Sequence, residues 1–301
     1  MGWKATTPCP VRGFGVFALV TALFALGPIL ASSQAVPESA TPPDAREIAR
    51  RAAEHERINF QRARNYTYIE RVETRKRKHG DDVGEPQSQT SEIMILYGEY
   101  VGRVIARNDQ PLSPKDQAAE EARIQKLIAK RKKETEEEQA KRLADYDRER
   151  AKKRAFVDEI ADAYDFQLIG DEVVNGRDTY VLKGTPRRGY RPRRKEAKIL
   201  PKFRFTVWID KAENQWVKLD AEAIDNISFG WFLGKLYRGS RLRAEQVRVN
   251  DEVWLPRHVA ISLDGRKLFS KFGMDLDVRY RDYKKFRADT RIVEGRQSGG
   301  P

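Results

Sequence analysis

The side chains able to do chemistry in this chain are dispersed. Three histidines, His55, His79 and His258, fall in a helical stretch, at a strand end and in a strand, with no pair at metal-ligand spacing. No serine sits in a nucleophile elbow, no glycine loop is built to cradle phosphate, and no dinucleotide fingerprint appears. Gly230 and Gly234 bracket Trp231-Phe232-Leu233, which is too much apolar bulk for a phosphate loop. The single cysteine, Cys9, precedes a long apolar run near the start. Once that segment is removed, neither a disulfide nor a thiolate zinc site is possible. The 45 Asp and Glu residues leave room for a glycosidase-like carboxylate pair, but no spacing singles one out. These features point to a protein that binds rather than catalyses, with no metal and no cofactor.

Two segments carry a binding reading. The first runs Ile227-Ser228-Phe229-Gly230-Trp231-Phe232-Leu233-Gly234-Lys235-Leu236-Tyr237, with bulky apolar residues on both parities. It is either a buried strand or corner, or the lining of an apolar cavity in which Phe229, Trp231, Phe232, Leu233 and Leu236 contact a lipid. The second is the basic run that contains Arg187, Arg188, Arg191, Arg193, Arg194 and Lys195. It is either a solvated loop or a docking patch for an anionic membrane face. Arginine and tyrosine together also suit nucleic acid, but an exported protein does not meet it.

Export is read from the first 35 residues. Lys4 and Arg12 precede an apolar run from Phe14 to Leu30, no acidic residue occurs before Glu38, and small residues at Ser33 and Ala35 fit cleavage after Ala35. The alternative is an uncleaved membrane anchor, since a run of roughly 17 apolar residues is near the minimum for a bilayer span. Loss of Lys4 and Arg12 lowers the formal charge from +13 to +11. A surplus of that size favours anionic partners or solubility. A periplasmic, disulfide-free monomer is expected, held together by its core.

The elements that must position these segments follow from period and punctuation. A Pro-rich linker spans residues 36–43, and Asp44 caps a helix in which Ile48, Ala52 and Ile58 recur to about Arg64. Strand alternation runs from Asn65 to Arg77, and a second β stretch covers Glu92 to Ala106, with Gly98 and Gly102 marking a turn or bulge. Residues 113–154 are charged, glycine-free and helical, opening on Ser113-Pro114. They read as one long or two shorter helices forming a solvated arm, with Glu137–Lys141 and Glu138–Arg142 as supporting pairs. From Asp165 onward strands alternate almost continuously, joined at Asn175-Gly176, Asn250-Asp251 and Asp264-Gly265. The result is one α+β, mainly β domain over residues 44–293. Its antiparallel sheet is strongly curved, an incomplete β-barrel with helices over its open side. Residues 294–301 read as a disordered tail.

The hairpin Trp208-Ile209-Asp210, loop, Trp216-Val217-Lys218-Leu219, and the segment Val253-Trp254-Leu255-Pro256-Arg257 after a turn, complete a pattern. With the leader, the first helix and the tyrosine-rich strands, it resembles the periplasmic outer-membrane lipoprotein-sorting carrier family. The resemblance spans roughly Asp44 to Phe286 and is distributed, without a diagnostic motif. It implies an incomplete barrel whose helices lid a cavity for acyl chains, and so a non-catalytic carrier of an acyl chain, a lipid or a lipidated protein. The charged insertion departs from the compact family pattern. It leaves open an envelope scaffold or sensor with a filled interior that binds a protein partner through that arm.

Overall fold

Alternation and turn chemistry account for most of the architecture. The computed structural model describes residues 43–77, 84–154, 159–229, 234–267 and 270–286. Helix α1 (Ala45–Ala63) begins where the Asp44 carboxylate accepts from the Arg46 amide at 3.0 Å. Its buried face continues from Ile48, Ala49, Ala52 and Ala53 through Glu56, Asn59 and Ala63. Ile58 therefore points to solvent instead of the core.

Strands β1 (Tyr66–Arg77), β2 (Gln87–Leu96), β3 (Glu99–Arg107) and β4 (Gln110–Pro111) follow. After the helical insertion come α4 (Ile160–Ala163), β5 (Tyr164–Val174), β6 (Arg177–Pro186) and a 3-10 turn (Glu196–Lys202). The chain then forms β7 (Phe203–Asp210), β8 (Trp216–Ala223), β9 (Ile227–Phe229), β10 (Gly234–Leu236), β11 (Arg241–Val249), β12 (Val253–Lys267) and β13 (Ser270–Lys285). The main sheet is antiparallel in the order β4-β3-β2-β1-β13-β12-β11-β8-β7-β6-β5, curved and unclosed. It is the incomplete barrel expected from the alternation. The β9–β10 hairpin hangs from the far half of β12.

Asn175-Gly176 reverses the chain with φ of 51° and 78°, and Asn250-Asp251 with 50° and 52°. Two successive left-handed residues are what a tight hairpin of type I′ requires. Asp264-Gly265, expected to turn, does not: β12 runs through it and pairs Gly265 with Phe272. A Cβ on Gly265 would strike the Lys235 carbonyl oxygen and the Phe272 ring, so this glycine serves the close approach of β10. The Glu92–Ala106 stretch resolves into β2 and β3, turned at Tyr97-Gly98. Gly102 lies inside β3, and β2 starts earlier, at Gln87.

The insertion is two helices, α2 (Pro114–Lys132) and α3 (Glu136–Arg154). Ser113 caps the first, accepting from the Asp116 amide at 3.1 Å. The break is a reciprocal box. The Thr135 amide donates to Glu138 at 2.9 Å, and the Glu138 amide donates to the Thr135 hydroxyl at 3.2 Å. Glu138 thus closes a cap and leaves Arg142 to turn toward the sheet. Arg131 and Arg142 alternate with Glu99 and Glu134 in a ring of ion pairs at 2.6–3.1 Å.

The helices are therefore docked, not a free arm, and what they dock on is a sheet edge. The Val104 amide donates to Glu120 at 2.8 Å, the Tyr100 amide to the Tyr146 hydroxyl at 3.3 Å, and the Gly102 carbonyl accepts from Arg123. Ala106 and Arg107 pair with β4. Side chains of the insertion satisfy backbone groups that an edge strand would otherwise offer to another chain.

Candidate functional site

The concave face is built from cross-strand rows. One row reads Gln89, Val72, Val278, Val259, Ala244, Leu219, Val207, Leu182, Leu168 across nine strands. The next reads Gln87, Thr74, Leu276, Ile261, Leu242, Ala221, Phe205, Gly184, Phe166. Apart from the Gln, Thr and Gly positions these rows are apolar, as alternation demands of a face turned from water. The Phe205 ring lies where a Cβ on Gly184 would stand, so the glycine makes room for the ring. Outward positions carry ion pairs such as Arg204–Glu222, Arg243–Asp220 and His258–Asp277, which places His258 in a surface pair.

Helix α1 covers only part of this face, packing on β5, α4 and the first half of β12. Its C-terminal half is fixed by side chains that imitate strand partners. Asn59 donates to the Trp254 carbonyl at 2.8 Å and accepts from the Trp254 amide at 2.7 Å. Buried Glu56 accepts from the Trp216 indole at 3.0 Å and from Gln215. Arg177, Asp210, Glu213 and Arg248 form an ionic chain beside Trp254, whose indole donates to Glu213 at 2.9 Å. Trp216 and Trp254 thus serve as anchor points for the helix, whereas the Trp208 indole donates to Glu172 at 2.6 Å on the outer face.

The far ends of β12 and β13 leave an apolar trough, bordered on β1 by Thr74 and Lys76. Val72, Ile261, Leu263, Phe272, Met274 and Leu276 share its face and are all half-buried. At its inner end stand Tyr68, Tyr280 and Tyr283, with ring centroids 5.7 and 5.5 Å from that of Tyr68. Among them lies Glu70, 6% exposed and opposite both Tyr280 and Ser91. Burial raises its pKa to about 7. Burial, and then the Glu70 charge, push Tyr280 well above the ordinary tyrosine range. Sequence reasoning passed over Glu70. The available signal was parity, since an acid stands between Tyr68 and Val72 on the face that should be apolar.

Two of the residues expected to bind lipid are described, and they belong to the β9–β10 pair beside this trough. Phe229 ends β9, and Leu236 is half-buried in β10, paired with Gly265. Trp231, Phe232 and Leu233 lie outside the described residues, as does His79.

The basic run is divided. Arg187 pairs with Asp165 at 2.8 Å and the exposed Arg193 with Asp162 at 2.9 Å; Arg188, Arg191, Arg194 and Lys195 are exposed as well. The loop is held by Glu159, which accepts from the Tyr190 hydroxyl at 2.7 Å and the Arg193 amide at 2.8 Å. Burial raises the Glu159 pKa, but these bonds and the Arg193 charge outweigh it and hold the carboxyl below its usual range.

No protein-family model and no curated protein matches the chain. Solved structures of similar fold include a DUF1329 family protein from Desulfovibrio piger at 12% identity. It overlaps 82% of this chain and 93% of its own, with a TM-score of 0.30. A putative outer membrane lipoprotein-sorting protein domain from Vibrio parahaemolyticus is 14% identical over 79% and 94%, with a TM-score of 0.30. A LolA superfamily protein from Nitrosomonas europaea is 15% identical over 81% and 93%, with a TM-score of 0.29. Overlaps this loose bear on neither ligand nor activity. Among the described residues no helix is long and apolar enough to cross a membrane.

Proposed function

We propose that the chain is an exported, non-catalytic carrier that holds an acyl chain, either of a lipid or of a lipidated protein, in the trough beyond α1. The observation that carries this reading is the strip from Val72 through Leu276 and Ile261 to Met274. Along β12 and β13 it is apolar and half-buried, with Thr74 and Lys76 of β1 opposite Leu276 and Met274 at its border. Burial of acyl methylenes there would drive binding by about 0.8 kcal/mol each. Phe229, Trp231, Phe232, Leu233 and Leu236 of the 227–237 segment are assigned as further contacts for the acyl chain. The exposed arginines of the 187–195 loop would steer the carrier to anionic surfaces.

The scaffold alternative assigns the insertion to a protein partner. The docking of α2 and α3 on β3 gives those helices a structural task instead, which favours the carrier. A titration with a fluorescent fatty acid tests the choice. Wild type should bind saturably, and Met274→Trp or Ile261→Trp, which fill the trough, should weaken binding at least tenfold with the melting temperature kept. Truncating Trp231 or Phe232 should weaken binding without unfolding. Unchanged affinity in the filled variants would place the ligand elsewhere, and absence of binding in wild type would favour the scaffold.

A further inference from the structure

Two polar groups at the inner end of the trough make no hydrogen bond among the described residues. Tyr280 is 5% exposed and its hydroxyl is buried without a partner. Glu70 likewise has neither a hydrogen bond nor an ion pair there, and burial is the cause of its raised pKa. The two face each other in the β1–β13 register, which sets their Cβ atoms about 5 Å apart. Their polar ends do not bond to one another. Leaving the buried Tyr280 hydroxyl and the largely buried Glu70 carboxyl without a protein partner costs the fold, and apolar residues of the same shape would pack there without that cost. Ser91, across from Glu70 on β2, accepts from Gln89 at 3.3 Å and makes no bond to Glu70, and the Tyr283 hydroxyl donates to the Pro256 carbonyl.

We propose that Glu70 and Tyr280 form a recognition point for the head of the bound amphiphile, and that the group they recognise is a secondary amide. This rests on the acyl-binding function proposed above. The amide N–H would donate to the Glu70 carboxyl and its carbonyl would accept from the Tyr280 hydroxyl. The alkyl chain would then run outward over Val72, Leu276, Ile261 and Met274. The donor and acceptor count excludes close relatives of the amide. An ester has no N–H and leaves Glu70 unmet. A free carboxylate adds a second negative charge beside it. An ammonium group satisfies Glu70 but gives Tyr280 nothing to donate to.

The matched pair N-dodecylacetamide and dodecyl acetate tests the assignment, by displacement of the neutral dye N-phenyl-1-naphthylamine from the full chain at pH 8. Wild type should prefer the amide about tenfold, the cost of one unmade buried hydrogen bond. Glu70→Leu should bring the two ligands to near parity while leaving the affinity for the ester within about threefold, and Tyr280→Phe, which removes the donor to the carbonyl that both ligands carry, should weaken both by a similar factor of about ten and keep the amide preference. Tyr280→Phe removes only an unbonded hydroxyl, so it keeps the fold. Displacement by both ligands at equal affinity in wild type, an amide preference that survives Glu70→Leu, or affinities for both ligands unchanged by Tyr280→Phe, would overturn the recognition point and spare the acyl-binding function. If neither the dye nor the ligands bind, the acyl-binding function fails and this inference with it.

Discussion

Replacing Glu70 by Gln should stabilise the protein, and only at neutral to alkaline pH. The carboxyl is 6% exposed, and burial raises its pKa from 4.5 to about 7. The folded state therefore holds the proton more tightly than the unfolded chain, and between those two values folding takes up a proton. Below about pH 4.5 the group is neutral in both states and costs nothing. As pH rises toward 7 stability falls, and above 7 the folded state carries the whole cost of a buried charge. At 1.36 kcal/mol per pKa unit this reaches about 3 kcal/mol. Gln has the same shape and no charge, so Glu70→Gln should match wild type at pH 4.5 and exceed it by up to about 3 kcal/mol at pH 8. The other titrating groups are common to both proteins and cancel in the difference. Urea unfolding followed by intrinsic fluorescence at both pH values measures it. A gap that does not change with pH, or a variant less stable at pH 8, would mean that Glu70 is charged and partnered in the fold, and the reasoning would be wrong.

Other outcomes follow from the same contacts. Asn59→Ala strips both backbone bonds from Trp254 and should cost about 2–3 kcal/mol in denaturant unfolding. Gly184→Val places a side chain in the Phe205 ring and should cost at least about 1–3 kcal/mol, read as a lowered melting temperature. Glu120→Ala with Tyr146→Phe uncaps the β3 edge, so the Tyr100 and Val104 amides should exchange hydrogen faster while the β6–β8 amides do not change. Arg188→Glu with Arg191→Glu should reduce association with anionic vesicles, by about 1 kcal/mol per basic residue lost and less at high salt. Equal vesicle binding would remove the loop from the docking role.

The sheet was legible because its strands are amphipathic. Phe272, Met274, Leu276, Val278 and Tyr280 fall on one parity and occupy one face. Asn175-Gly176 could form only a tight hairpin at that spacing. The same local logic failed at Asp264-Gly265, because the requirement met by Gly265 is tertiary, the approach of the Lys235 carbonyl. The helical insertion looked solvated because its apolar stripe is thin, with Ile124 its one buried hydrophobic residue among the described positions. Its docking runs through Arg131, Arg142, Glu120 and Tyr146, and charge composition does not reveal which charges meet a sheet edge. The capping box Thr135-x-x-Glu138 was present in the sequence and marks the break between α2 and α3. The basic run was visible as a run, but the division between paired Arg187 and Arg193 and exposed Arg188 and Arg191 depends on Asp162 and Asp165, some twenty or more residues upstream.

The central claim is that the trough holds an acyl chain. The most direct measurement is native mass spectrometry of the full chain purified from the cell-envelope extract, with lipid extraction of the same sample. The account predicts an added mass near one acyl ligand per chain, lost in Met274→Trp, and an acyl species in the extract. A clean protein mass in wild type, with no uptake of added fluorescent fatty acid, would contradict it.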